Sequence, residues 1–167
     1  QGGTPEACVP GSRIVTTAAN AAFGSGMLAH ADETDDSHAQ SLTHPGCGVV
    51  PAAFAMAERT HAGGTALLRA IALGYDICAR SAMSLGPYEF FASGHDPHTF
   101  GTLFGAAAAA ASLARLNERQ VRHLMSYAAH SASGRTYQQR DYDHIEKSFA
   151  HGAKSARKWP RLRGSIN

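Results

Sequence analysis

The chain has 167 residues, 44% of them apolar and 17% charged, with 15 basic against 13 acidic side chains and a formal net charge of +2. That length supports a real core in one domain, and so slight a positive excess, spread along the chain until its last dozen residues, argues against nucleic acid as a partner. No apolar run approaches the roughly 20 residues needed to span a bilayer, and no signal peptide is visible, so no membrane is expected either. Ten histidines are the compositional outlier. Cys8, Cys47 and Cys78 form no C-x-x-C pair, and their odd number argues against a disulfide framework or a structural zinc site; a reducing cytoplasm fits best.

In chain order, residues 1–16 read as loop, with Arg13-Ile14-Val15-Thr16 as a short strand. Ala18 to Ala31 carries apolar residues at helical spacing, and its Gly24 and Gly26 would let another helix approach closely. An acidic loop follows, punctuated by Pro45 and Gly46. A second helix is predicted over Val49–Thr60. A third runs from an N-cap at Thr65 to about Ser84 and is closed by Gly86-Pro87. Residues 88–99 read as a loop rich in aromatic and polar groups. Thr102–Leu116 is a helix whose run Ala106–Ala111 suits the middle of a tightly packed bundle. Asn117 breaks or caps, Glu118–Ser131 is helical, and a polar loop over 134–144 leads into a last helix from about Glu146. No strand pair with a hairpin turn is convincing. The fold class is all-α, a helical bundle.

Three histidine-containing stretches could carry chemistry. The first is His30-Ala31-Asp32-Glu33-Thr34-Asp35-Asp36-Ser37-His38, followed by Thr43-His44-Pro45-Gly46. Four carboxylates and three histidines within fifteen residues are raw material for proton transfer or metal binding. The bland alternative is that the carboxylates cap helix N-termini. The EF-hand pattern fails here, and no helical H-x-x-x-H is present. The second stretch is Gly94-His95-Asp96-Pro97-His98-Thr99-Phe100-Gly101, just before the alanine-rich helix, where free N–H groups would suit an anion. The third is Asp143-His144-Ile145-Glu146-Lys147-Ser148-Phe149, then His151, Gly152 and Lys154. No P-loop, nucleophile elbow or Rossmann fingerprint is present.

Taken together and in this order, the stretches resemble the MmgE/PrpD family, which includes 2-methylcitrate dehydratase, cis-aconitate decarboxylase and iminodisuccinate epimerase. The resemblance runs over about residues 10 to 157. It implies part of a large helical domain over residues 1–157, without the family's lid domain, followed by a divergent basic tail over 158–167. It implies lyase-type acid–base chemistry on a small di- or tricarboxylate, no cofactor or metal, and a homodimer. It places His44 and either His95 or His98 as catalytic histidines and Lys147 on the substrate carboxylates. Glu33 and Ser37 fall where the family has Asp and Thr and would bind or orient substrate. A non-catalytic truncated remnant, or a dimerising helical fragment, is the alternative; a metal-dependent hydrolase built on the Asp/His cluster is a third.

Overall fold

A computed structural model describes residues 3–31 and 34–136. The described chain runs β1 (Ala7–Cys8), β2 (Val15–Thr16), α1 (Ala18–Ala31), a 3-10 turn (Ala39–Ser41), α2 (Pro45–Thr60), α3 (Gly64–Met83), α4 (Pro87–Ala92), α5 (Pro97–Leu113) and α6 (Glu118–Ser131). The fold is all-α, as the sequence indicates. The polar loop and last helix expected after residue 136 lie outside the described residues.

One small correction concerns the hairpin. β1 and β2 pair antiparallel, with Ala7 opposite Thr16 and Cys8 opposite Val15. Two residues per strand are too few to show a period-2 pattern, so the pairing leaves no signal in the sequence. The ribbon matters because Ala7 and Val9 pack with Ala18, Ala21 and Ala22 of α1 and Ala55 of α2 in a small second core.

Helix α5 is the centre of the bundle. Its alanines 106 and 108–111 are all buried, and it packs against α2 and α3. Glycines set how near the helices come. A methyl group added at Gly105 would lie 2.5 Å from Gly74 O of α3, and one at Gly101 would lie 2.8 Å from Cys78 O. One at Gly48 of α2 would stand 3.0 Å from Thr102 Cβ. Backbone therefore meets backbone, and the main core closes around Val49, Met56, Ala70, Cys78, Ala109 and Leu113.

The ends of the helices show where turn chemistry outweighs apolar periodicity. α1 and α6 span the predicted residues, and Asn117 caps α6 in a reciprocal capping box with Gln120. α2 starts at Pro45 rather than Val49, and α5 at Pro97 rather than Thr102. Both prolines take the first helical position, where the missing N–H costs nothing and the fixed φ is already helical. α4 replaces part of the predicted loop; Gly86, at φ 63°, turns the chain into Pro87. α3 is entered from Gly63 rather than from a Thr65 cap. Among the described residues, no helix is long and apolar enough to cross a membrane.

Two glycine substitutions test this packing. Gly105→Ala should lower unfolding stability by about 1–3 kcal/mol, because backbone cannot yield to the new methyl. Gly24→Ala, whose methyl would meet only Val9 side-chain carbons at 3.6 Å, should leave stability unchanged or raise it by up to about 1 kcal/mol. Urea denaturation of the two variants reads the difference.

Candidate active site

The last turn of α1, the loop before α2, and the first turns of α2 and α5 converge. His30 comes from α1, Asp35 and Asp36 from the loop, His44 and Cys47 from the start of α2, and His98 from α5. The three imidazoles cluster: His44 and His98 have ring centroids 4.9 Å apart, His30 and His98 5.3 Å, and His30 and His44 6.0 Å.

Each helix start is built to fix its histidine in the first turn or at the cap. Asp36 Oδ1 accepts the Gly46 N–H at 2.8 Å and so caps α2. Its carboxylate also accepts the Tyr75 hydroxyl of α3. A methyl at Gly46 would meet both groups, at 2.6 and 2.8 Å, so this contact requires glycine. Asp96 caps α5, accepting from His98 N at 3.1 Å and Thr99 N at 3.3 Å. The anion site expected at that helix N-terminus is thus filled by the chain's own carboxylate.

Hydrogen bonds fix the state of each ring. His44 Nδ1 lies 2.8 Å from Asp36 O. A carbonyl only accepts, so Nδ1 carries the proton, and a neutral His44 keeps its lone pair on Nε2. The His44 backbone N–H donates to His98 Nδ1 at 3.0 Å. His98 Nδ1 is therefore an acceptor, and in the neutral ring Nε2–H points to Cys47 Sγ at 3.8 Å. The Cys47 thiol donates onward to His44 O at 3.2 Å. His30 Nδ1 donates to Asp35 Oδ2 at 2.8 Å. Exposure separates the rings: the His30 side chain is fully buried and His98 is 6% exposed, whereas the His44 side chain is 37% exposed. His44 is the most solvent-open imidazole of the three.

The electrostatics are set by burial. Burial alone would raise the Asp35 carboxyl, but the hydrogen bond from His30, the Cys47 thiol, and the charges that His30 and His44 can carry together hold it below the usual carboxylate range. Burial first, then the Asp35 charge, pushes the Cys47 thiol far up, so it stays a neutral donor. Burial, then the bond to Asp36, likewise keeps Tyr75 a phenol. Beside this group opens a cavity of about 660 Å³, lined by Asp35, Asp36 and Tyr75 together with the apolar Leu28, Val50 and Phe54.

His30, Cys47 and His98 bring three possible metal-donor atoms within 4.8 Å of one another. The tautomers do not suit a metal. The His98 nitrogen facing Cys47 holds its proton while Nδ1 accepts from His44, and a ligating imidazole needs the opposite arrangement, with the outer nitrogen donating. His98 and Cys47 are joined by a hydrogen bond that runs on to His44 O, while His30 bonds Asp35.

Of the residues singled out from sequence, the structure brings His44 and His98 together. His95 stands apart from them: its Nδ1 bonds Ser93 Oγ at 2.9 Å and its ring stacks on Phe90 at 5.0 Å. Ser37 is exposed beside Asp36. Glu33 and Lys147 lie outside the described residues. Sequence reasoning names His30 and Asp35 only as members of the first histidine-containing stretch, without a role of their own, and does not single out Cys47 or Tyr75. For His30 a signal exists: Ala18, Ala22, Gly26 and His30 recur every four residues on the buried face of α1, so an imidazole stands where the helix presents its small residues. Cys47, three residues after His44, shares its helical face.

The model of the MmgE/PrpD N-terminal domain matches residues 1–158. The chain belongs to the MmgE/PrpD family. A search of curated proteins found no match to it. The helical bundle is thus that of a member of this family.

The His30–Asp35 contact carries a pH signature. The Asp35 carboxyl is lowered in the fold, so its contribution is complete above its unfolded value of about pH 4 and is lost as pH falls through the lowered folded value. Urea unfolding between pH 6 and pH 2 should therefore show a steeper acid loss of stability for the native chain than for Asp35→Asn.

Proposed function

We propose that the chain performs MmgE/PrpD-type acid–base chemistry on a small di- or tricarboxylate, with His44 as the group that moves the proton. The supporting observation is the fixed tautomer of His44: Nδ1–H is committed to Asp36 O, and the ring is partly open to solvent. Nε2 is left to take a proton from the carbon next to a carboxylate. In a dehydration, the electron pair of that C–H bond forms the double bond as hydroxide leaves with a second proton. In a decarboxylation, the C–C bonding pair stays on carbon as carbon dioxide leaves, and a His44 that has first taken a proton from water at Nε2 delivers it to that carbon. General acid–base help of this kind contributes about 10²–10⁴-fold.

His98 serves as the second histidine by holding the backbone of His44 through Nδ1. A polycarboxylate needs positive partners. The ion pairs among the described residues put no lysine or arginine on Asp35 or Asp36. The reading therefore assigns charge neutralisation to Lys147, with Glu33 and Ser37 orienting the substrate, as the family resemblance implies. Homodimerisation and the division at residue 157 belong to the same proposal.

The test is exchange in deuterium oxide. Incubated with a panel of small di- and tricarboxylates, the chain should place deuterium on the carbon beside a carboxylate, followed by double-bond or carbon dioxide formation. His44→Gln should slow this by about 10²–10⁴-fold. A variant that exchanges at the native rate, or a native chain inert toward the whole panel, overturns the proposal.

A further inference from the structure

We propose that His30 and Asp35 are positioning residues for His44: the buried His30 ring fixes the Asp35 carboxylate beside His44 Nδ1, where its charge favours protonation of His44 at Nε2. This rests on the reading of His44 as the proton-transfer group and extends it to residues that the resemblance leaves without a role.

The argument begins with the cost of the arrangement. His30 is fully buried at the end of α1 and the Asp35 side chain is 6% exposed. A buried carboxylate held for structural reasons alone would have both oxygens bonded. Asp35 is not built that way. Oδ2 accepts from His30 Nδ1 at 2.8 Å, while Oδ1 is buried with no N–H or hydroxyl donor, the weak Cys47 thiol being the further donor beside the carboxylate. That oxygen faces His44 Nδ1 at 3.8 Å, too far for a hydrogen bond and close enough for a strong charge interaction. The Nδ1 proton itself goes to Asp36 O at 2.8 Å. The backbone carbonyl thus sets the tautomer and the carboxylate supplies the field. When Nε2 gains a proton, positive charge spreads over the ring and meets an anion already in place, so little must reorganise.

Other groups around His44 do not supply that charge. His98, from α5, has its Nδ1 on the His44 backbone. The Cys47 thiol, on the same helix, stays protonated. Tyr75, from α3, stays a phenol bonded to Asp36. The Asp36 carboxylate is turned to the helix, accepting from Gly46 N and Tyr75. His30 acts at one remove. Without its N–H, Asp35 would be a buried carboxyl left with the weak Cys47 thiol as donor, would bind a proton more readily, and would lose much of its effect on His44.

Histidine-labelled full chain, observed by 15N NMR without substrate, tests this. His44→Gln assigns the signals. The neutral native ring should show Nδ1–H with Nε2 bare. Asp35→Asn should lower the proton affinity of His44 by roughly tenfold, the low end of the effect of an opposite charge at this range. His30→Leu should lower it similarly, and His30→Asn, whose amide can donate in place of Nδ1–H, should restore most of it. A folded Asp35→Asn chain with His44 titrating within twofold of native overturns the proposal. So does an Nε2–H tautomer in the native protein. A shift in Asp35→Asn with none in folded His30→Leu overturns the role of His30. If His30→Leu does not fold, the near-isosteric Asp35→Asn decides alone. Absence of carboxylate turnover would sink the functional reading and leave these titrations standing, so the two failures are distinguishable.

Discussion

The site depends on how closely α5 approaches α2 and α3. That spacing is set by glycine: Gly101 and Gly105 on α5 face backbone carbonyls of α3, and Gly48 on α2 faces Thr102. Side chains of ordinary size at these places would push the helices apart. The 3.0 Å bond from His44 N–H to His98 Nδ1 joins the first turns of two different helices and would not survive such a separation. The alanine run is therefore part of the site's construction, although none of its side chains does chemistry. Alanine also favours the helix it sits in, which helps offset the intrinsic cost of the glycines.

Much of this was readable before the fold. Ala18–Ala31 and Glu118–Ser131 have clear helical spacing, and Asn117 with Gln120 is a cap written in the sequence. The starts of α2 and α5 were misplaced because apolar periodicity begins only after the first turn. Each of those turns opens on proline, which reads as a breaker unless its position at the first helical residue is considered. His44 and His98 were named from their stretches, but the choice between His95 and His98 was not legible. It turns on Asp96: by capping α5, it puts His98 inside the first turn, while His95 stays outside on Phe90. His30 was hidden for another reason. Periodicity marks it as buried, and a buried histidine in one helix says nothing of partners on two others.

The local charges form a consistent set. The Asp35 carboxyl is lowered and the Cys47 and Tyr75 groups are raised. The anion is held ionised, and the neighbours that could add a second negative charge are held neutral. Crowding imidazoles and carboxylates in a partly dry pocket would otherwise invite proton scrambling among them. Here each hydrogen bond assigns one proton to one atom, and His44 is left as the exposed ring of the three.

The glycine- and alanine-lined helix contacts have a consequence for how such a scaffold can diversify. Small side chains surrender almost no rotamer freedom when buried, so the floor beneath the histidines is rigid by composition. The same economy leaves no slack. At Gly74, Gly101 and Gly105 every other amino acid is larger, and a neighbouring helix stands where the extra atoms would go. Change is therefore easier at the exposed Leu28 and Phe54 that line the cavity, while the ground under the imidazoles stays fixed.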